Sequence, residues 1–303
     1  MHFSNKLSTL ILKIIHNIEL LRYTLSNVRK NKQSIGFVPT MGCLHEGHVS
    51  LLQKSINDNN VTLCSIYVNP TQFNDKIDFK KYPRDINSDI KVLKKINCDI
   101  LFLPIDDEIY PKNDTKEDYS FMHAIDILEG EKRPGHFFGV LTVVHRLFNL
   151  VQPNRAYFGE KDYQQLWLIQ RFVNQLKMPI TILGCPTIRT AQGLALSSRN
   201  QRLTEQDKKT SLILFQSINN LQNEIKLNLK HNNTLSNSDL ICIKERIRNK
   251  ISHNINIKLD YFEVIDVENF SFVKEINKYK KYRILIAAYI SKIRLIDNIL
   301  IDW

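Results

Sequence analysis

Residues 34–56 read SIGFVPTMGCLHEGHVSLLQKSI and contain the turn on which the fold depends. The apolar run 34–38 predicts a strand, and the pattern at 49–56 is typical of a helix. The polar decapeptide 39–48 lies between them. A strand, a tight turn and a helix in this order aim backbone N–H groups and the positive end of the helix dipole at the turn. The stretch therefore predicts an anion-binding turn.

Two histidines, His45 and His48, lie three positions apart where this helix begins. Both can reach one anionic group, which suits an enzyme that holds the phosphates of a nucleotide and stabilises the charge of an α-phosphoryl transfer. A zinc pair or two surface histidines are the alternatives. Zinc would need further ligands, and no Cys or His cluster with metal spacing lies nearby in the sequence. Phosphate binding is the favoured interpretation.

Length and composition indicate a globular protein of two domains. The 303 residues are 43% hydrophobic, enough for a sizeable core. The five cysteines are odd in number and widely scattered, which indicates reduced thiols and a cytoplasmic protein. Lys13 interrupts the apolar run 10–15, so we expect an amphipathic helix there rather than a signal peptide. No apolar stretch is long enough to span a bilayer, so no membrane partner is expected.

A net charge of +11 raises the possibility of nucleic-acid binding. Lysine and arginine are spread along the whole chain, however, and no arginine-rich run or recognition motif is present. The densest basic segment, 278–283, is typical of a turn between two strands. A nucleic-acid-binding protein would explain the charge alone, so we expect no nucleic-acid partner.

Strand-like and helical patterns alternate along the first part of the chain. Strands are predicted at 34–39, 61–68, 100–104, 155–158 and 180–184, and helices at about 47–58, 86–97, 137–151 and 162–176. This alternation predicts an α/β fold with a Rossmann-like parallel sheet. The polar motifs 39–48, 69–73 and 159–162 each follow a predicted strand. They should therefore lie at the carboxyl ends of the strands, where such sheets bind ligands.

The last third of the chain differs in composition. All glycines lie between positions 36 and 193 and all prolines between 39 and 186, so the region of specified turns ends there. Helices are then predicted at 204–228 and 236–254, and strands at 259–266, 283–290 and 292–299. We expect a first domain at residues 1–188 and a smaller α+β domain at 189–303.

Taken together, the motifs resemble one family, pantothenate synthetase, the pantoate–β-alanine ligase. The resemblance covers nearly the whole chain in order. A His-x-Gly-His element alone would be less specific, because cytidylyltransferases and class I aminoacyl-tRNA synthetases carry similar ones. The segments that carry the resemblance are 39–48, 67–73, 82–84, 133–137, 139–144, 158–165, 193–200 and 294–298.

The resemblance implies a two-step reaction that requires ATP. Pantoate's carboxylate attacks the α-phosphorus of ATP, which gives pantoyl adenylate and pyrophosphate. The amine of β-alanine then attacks the acyl carbon and releases AMP and pantothenate. Mg²⁺ with ATP, a homodimer, and a second domain that closes over an ATP- and pantoate-binding first domain are also implied. A pure nucleotidylyltransferase would use both histidines but would leave Gln72, Gln165 and the second domain unexplained.

The resemblance also assigns residues to ATP. His48 would be the proton donor, and His45, Lys161 and Arg199 would complete the catalytic set. Lysine offers a point charge to the phosphates, and arginine can bind them with its guanidinium fork. The expected ATP-binding residues are Met41, Gly42, Cys43, Leu44, His45, Glu46, Gly47, His48, Gly159, Glu160, Lys161, Asp162, Ile188, Leu196, Ser197, Ser198 and Arg199.

For pantoate the resemblance implies Gln72 and Gln165, and for β-alanine it implies Gln72. A neutral amide can bind the hydroxyls and the carboxylate of pantoate without lowering the carboxylate's nucleophilicity. Gln72 could instead cap a turn. Of the successive helical residues Gln164 and Gln165 only one can face the site.

Some alternatives stay open at this stage. Glu160 could pair with a basic neighbour rather than contact a ligand, and His136 could be structural. The family's acidic cluster after Tyr-Pro-Arg is reduced in this chain, so a metal role rests mainly on Asp89.

Overall fold

The computed structural model describes residues 11–111, 119 and 123–303. These residues divide into two compact units. The first takes the described residues within 1–121, 135–159 and 169–185, and the second takes those within 122–134, 160–168 and 186–303. The second unit thus contains two segments that precede position 188 in sequence.

A parallel sheet forms the centre of the first unit. Its strands are β1 (Lys13–Ile15), β2 (Ile35–Thr40), β3 (Val61–Ile66), β4 (Ile100–Phe102), β5 (Arg155–Gly159) and β6 (Thr181–Cys185). Their spatial order is β1-β4-β3-β2-β5-β6, and every pair is parallel. The chain leaves β2 toward β3 and β4 on one side and continues through β5 and β6 on the other. The carboxyl ends of β2 and β5 therefore form a topological switch point, where ligands bind in such sheets.

The helices are α1 (Ile18–Lys30), α2 (Glu46–Asp58), α3 (Lys76–Lys81), α4 (Ile86–Lys95), α5 (Asp106–Ile109), α6 (Glu129–Lys132), α7 (His136–Val151), α8 (Tyr163–Gln175), α9 (Glu205–Asn228) and α10 (Asn237–Ser252). Within the described residues, none of them combines the length and apolar character that a bilayer span requires. Val38, Cys64 and Leu101 are fully buried on the central strands. Their near-continuous apolar runs are typical of parallel strands covered on both faces.

The predicted Rossmann-like fold is confirmed, with one correction at the amino end. The prediction of an amphipathic helix at 10–15 was wrong for residues 13–15, which form the edge strand β1 beside β4. These three residues pair in parallel register with Ile100, Leu101 and Phe102, and the backbone pairing, rather than a burial pattern, defines the strand. The helix α1 begins only at Ile18, after the cap residue Asn17. Leu10 lies outside the described residues.

The second unit contains an antiparallel sheet of β8 (Ile257–Asp266), β10 (Tyr282–Ile290) and β11 (Ile293–Ile301), in the order β11-β10-β8. A short ribbon joins β7 (Thr234–Leu235) to β9 (Ile276–Asn277). The apolar faces of α9 and α10 share one core with this sheet, whose most buried members include Ile218, Leu221, Phe262, Ile284 and Ile286. The predicted smaller α+β domain is therefore confirmed, and the structure adds that its main strands are antiparallel.

Candidate active site

The turn after β2 is fixed by one buried carboxylate. Gly42 and Cys43 both have positive φ, 79° and 51°. A Cβ on Gly42 would lie 3.0 Å from Oδ2 of Asp89, so glycine suits this position for space as well as conformation. The N–H groups of Cys43 and Leu44 donate to Oδ2 and Oδ1 of Asp89 at 2.9 and 2.7 Å. Burial raises the pKa of Asp89, and the two backbone hydrogen bonds oppose that rise.

The two histidines cap the helix that follows. His45 is the N-cap of α2 with extended φ and ψ of −135° and 176°. Its Nδ1 accepts a hydrogen bond from the N–H of Gly47 at 3.1 Å, and Nδ1 of His48 accepts one from the N–H of His45 at 3.3 Å. The two rings lie 4.2 Å apart, centroid to centroid. A Cβ at Gly47 would come within 2.8 Å of the His45 ring, which explains the glycine in His-x-Gly-His.

A second polar turn follows β3 and contains Gln72. Residues Pro70–Gln72 form one turn of 3₁₀-helix, and the Gln72 side chain is buried at 8% exposure. Its Nε2 donates to Sδ of Met41 at 2.7 Å, and its Oε1 accepts from Nδ2 of Asn69 at 3.2 Å. The structure thus brings together two predicted site residues, Met41 and Gln72, from different motifs.

Helix α7 packs directly against this second turn. A Cβ on Gly139 would lie 2.4 Å from the carbonyl oxygen of Thr71, so only glycine permits the approach. Nδ2 of Asn69 donates to the Gly139 carbonyl at 3.0 Å. The buried His136 donates from Nδ1 to the Gln72 carbonyl at 2.7 Å. His136 therefore positions the backbone of Gln72, which supports the structural interpretation of this histidine.

In the second unit, the segment after β5 is anchored to the antiparallel sheet. Nδ2 of Asn298 donates to the carbonyl oxygens of Glu160 and Lys161 at 2.9 and 2.8 Å. The Glu160 carboxylate accepts from Nη2 of the buried Arg283 at 2.9 Å. Glu160 thus pairs with a basic residue, and its backbone bond from Asn298 helps to hold the segment that carries Lys161. The Nζ of Lys161 lies 3.8 Å from Oδ1 of Asp162.

The structure distinguishes the two successive glutamines of α8. Gln164 is buried, and its Nε2 donates to the carbonyls of Ala124 and Ile127 at 2.7 and 2.8 Å. Its Oε1 accepts from the N–H of Glu129 at 3.1 Å. Gln165 is partly exposed, and its amide makes no hydrogen bond within the part of the chain that the structure describes. Gln164 therefore stabilises the scaffold through three hydrogen bonds, whereas none of the described residues contributes such a bond to the Gln165 amide.

A buried ion-pair network that the sequence did not reveal surrounds Glu129. Nη1 and Nη2 of Arg294 donate to its carboxylate at 2.8 and 2.7 Å, and the hydroxyl of Tyr261 donates to it at 2.7 Å. The Nε of Arg294 donates to Asp260 at 2.8 Å. Burial by itself would raise the pKa of Glu129, but the bonds and charge of Arg294 outweigh it and lower the value to about 2. Burial also lowers the pKa of Arg133, which lies 3.8 Å from Glu129, to about 10.

The last predicted motif forms a turn in the second unit. Ser197 caps the 3₁₀-helix Ser198–Arg202 by accepting a hydrogen bond from the N–H of Arg199 at 3.3 Å. The N–H of Leu196 donates to the carbonyl of Ile188 at 2.9 Å. Lys161 and Ser197 line one small pocket. The structure thus brings together expected ATP-binding residues from two separate motifs.

Each unit accordingly carries its own part of the predicted set. Residues 41–48, Gln72, Asp89 and Gly159 belong to the first unit. The second unit contains Glu160, Lys161, Asp162, Gln165, Ile188, Leu196, Ser197, Ser198 and Arg199.

A parallel sheet with a histidine-capped helix at its switch point defines a class, the α/β proteins that bind nucleotide phosphates. Within this class, the sequence pattern of the family described as Pantoate-beta-alanine ligase matches residues 13–300. The chain belongs to this family.

Relatives of known name and structure are similar over almost their whole length. Pantothenate synthetase from Thermotoga neapolitana is 43% identical over 95% of this chain and 99% of its own. The enzyme from Christiangramia forsetii is 39% identical over 96% and 100%. The crystal structure of pantothenate synthetase from Thermus thermophilus superposes with a TM-score of 0.83 at 34% identity, covering 95% of this chain and 99% of that one. Pantoate-beta-alanine ligase from Francisella tularensis, complexed with beta-gamma ATP and beta-alanine, gives 0.75 at 38% identity over 96% and 98%.

Proposed function

We propose that this protein is an ATP-dependent ligase that condenses pantoate with β-alanine to give pantothenate, through pantoyl adenylate. One observation carries the proposal: the family match extends over residues 13–300 and includes the histidine-capped start of α2 at the switch point of the sheet. A carboxylate is a poor acylating agent until its oxygen is joined to a good leaving group. Transfer of AMP to that oxygen supplies the leaving group.

The residues at the helix start would bind the triphosphate. Backbone N–H groups and the dipole at the start of α2 favour an anion beside residues 41–48. His45 and His48 would donate hydrogen bonds to the phosphates and to the departing pyrophosphate. Lys161 and Arg199 would supply positive charge as the α-phosphorus is attacked. Asp162 suits the ribose hydroxyls, because a carboxylate beside the triphosphate would repel it.

Two neutral amides would hold pantoate. Gln72 is buried beside Met41. Gln165 is partly exposed, and none of the described residues hydrogen-bonds to its amide. A full positive charge next to the pantoate carboxylate would bind it but weaken it as a nucleophile. We also assign β-alanine binding to Gln72, as the family resemblance implies.

The metal requirement is proposed as Mg²⁺ that arrives with ATP. Mg²⁺ is usually held by one or two carboxylates together with substrate phosphates and waters. This fits the donor set, because within the described residues no group of three or more His, Cys, Asp or Glu side chains could hold a metal ion. Asp89 stays our candidate carboxylate, although both of its oxygens already accept backbone N–H groups. When bound, the ion would neutralise phosphate charge.

Assembly, location and surface are proposed from the same resemblance and from the sequence. We propose a homodimer in the cytoplasm whose ligands are ATP, pantoate and β-alanine. Neither nucleic acid nor a membrane is a proposed partner. The positive charge of the chain is spread along the whole sequence, which argues against a dedicated polyanion site.

The test is an assay of AMP and pyrophosphate with ATP, Mg²⁺ and pantoate, with and without β-alanine. We expect sustained release of AMP and formation of pantothenate only when all four are present. Transfer of AMP to another acceptor without pantoate, and with no pantothenate formed, would reject the ligase assignment.

A further inference from the structure

The start of α2 constrains where the histidines carry their protons. Nδ1 of His45 faces the N–H of Gly47, and Nδ1 of His48 faces the N–H of His45. A ring nitrogen that accepts an N–H bond presents a lone pair there, so the proton of the neutral ring must be on the other nitrogen. The cap therefore selects the same tautomer in both rings.

We propose that His45 and His48 are locked by their own helix cap as neutral imidazoles with the single proton on Nε2. This inference rests on the proposed function, in which the rings contact the phosphates of ATP. Each ring would then be a neutral Nε2–H hydrogen-bond donor to the phosphates, and His48 would donate a hydrogen bond rather than a proton. Lys161 and Arg199 then supply the charge, and the histidines supply direction.

Three features of the site oppose a second proton on either ring. A proton on Nδ1 would point at a backbone N–H group and would remove the cap bond. The positive end of the α2 dipole disfavours a cation at this position. The rings lie 4.2 Å apart, so two imidazolium charges would repel each other. Glu46, the acidic residue of the first turn, is exposed to solvent, which weakens its pull on a ring proton.

The same chain provides an internal control for this inference. The buried His136 has its Nδ1 2.7 Å from a carbonyl oxygen, that of Gln72. A carbonyl only accepts, so His136 must carry a proton on Nδ1. His45 and His48 should thus show the opposite pattern from His136 within one spectrum.

The first experiment is a two-dimensional ¹⁵N–¹H spectrum of the histidine rings in the full-length protein at neutral pH. The variants His45→Asn, His48→Asn and His136→Asn identify the individual rings. We expect neutral rings protonated on Nε2 for His45 and His48, both alone and with a non-hydrolysable ATP analogue. An imidazolium or an Nδ1–H ring at either position, with or without the analogue, would overturn the proposal.

The second experiment distinguishes the helix-capping role of His45 from its role as a hydrogen-bond donor to the phosphates. Asparagine is among the best N-cap residues, but its side chain is too short to replace Nε2–H. His45→Asn should therefore keep the wild-type unfolding temperature while kcat falls about 10²-fold. His45→Ala should lower both. Wild-type turnover in His45→Asn would refute the donor role. If wild-type enzyme made no pantothenate while the spectrum kept the expected pattern, the proposed function would fail and the ring assignment would stand.

Discussion

We propose that the turn at residues 41–48 binds ATP and that the segment at 160–165 contributes to ATP and pantoate binding, but the two are held in different ways. The first is stabilised in large part from within, because His45 and His48 cap the helix on which they lie, and Asp89 adds two bonds to its backbone from elsewhere in the sequence. The second depends on residues more than 100 positions away, since Arg283 and Asn298 hold its backbone and its acidic side chain. Hydrogen bonds within one motif can thus be anticipated from the sequence. Hydrogen bonds from distant residues become visible only in the folded chain.

The largest effect on stability is expected from removing an ion pair between residues that are distant in the sequence. Glu129→Ala should lower the free energy of unfolding by about 3–5 kcal/mol, because the partly buried Arg294 guanidinium loses both Nη bonds to this carboxylate and is left with Asp260 as its acidic partner. Urea unfolding of the variant and the wild type measures this. Glu131→Ala is the matched control on the same helix, because Glu131 is exposed and pairs only with its neighbour Lys132 among the described residues. An equal loss of unfolding free energy in both variants would show that the ion-pair network around Glu129 does not stabilise the fold.

The same carboxylate predicts a pH dependence. Its pKa is lowered from 4.5 to about 2 in the folded protein, so its contribution is fully present above pH 4.5 and is lost as the pH falls toward 2. Glu129→Gln should lack this part of the acid sensitivity. Urea unfolding of the wild type and Glu129→Gln across this pH range checks the prediction. Identical pH profiles would show that Glu129 does not contribute to the acid sensitivity of the fold.

The next effect concerns catalysis. His48→Ala and Lys161→Ala should each lower kcat about 10²- to 10³-fold while the fold is kept, because each removes a preorganised donor to developing phosphate charge. Steady-state AMP release and circular dichroism measure the two quantities.

Lys208→Ala serves as the control, since this lysine pairs with the exposed Glu205 on α9. It should retain wild-type turnover. Near-normal turnover in His48→Ala or Lys161→Ala would remove that residue from the catalytic set.

A smaller effect should separate the two adjacent glutamines. Gln165→Ala should raise the pantoate KM by a factor that corresponds to about 1–3 kcal/mol, with the KM for ATP unchanged. Gln164→Ala should instead lower the unfolding temperature, because it removes hydrogen bonds to Ala124, Ile127 and Glu129.

Gln72→Ala should resemble Gln165→Ala and weaken the use of pantoate with little effect on ATP. Substrate titrations and thermal unfolding of the three variants make the comparison. If ATP affinity fell as much as pantoate use in Gln72→Ala, this residue would belong to the nucleotide site or to the scaffold.

The smallest effect is expected at the surface. Binding to duplex DNA should be weak, without sequence preference, and lost between low and physiological salt as counterion release weakens. Ligase activity should change far less over the same range, because charges enclosed in a site are screened less than exposed ones. Parallel titrations of both properties against salt test this. Sequence-specific binding at physiological salt would contradict the expectation.

The parallel sheet, the order of its main elements and the polar turns could all be predicted from the amino-acid sequence. Strand and helix periodicities are local, so β2, α2 and β3 were predicted to within about two residues at most ends. The histidine spacing and Gly47 also report local geometry, because both follow from one helix start. The strand β1 was missed, since three residues at a sheet edge carry too little pattern.

The residues that support the candidate site became visible only in the folded chain. Asp89 reaches the turn at 42–44 across 45 or more positions, and Arg294 reaches Glu129 across 165. The pattern of neighbouring residues carries no information about such pairs. The resemblance had selected Gln165 rather than Gln164 for the site, but the hydrogen bonds that hold Gln164 in the scaffold were visible only in the folded chain. The geometry of a turn or a helix start follows from adjacent residues, whereas burial and ion pairing depend on which distant segments come into contact.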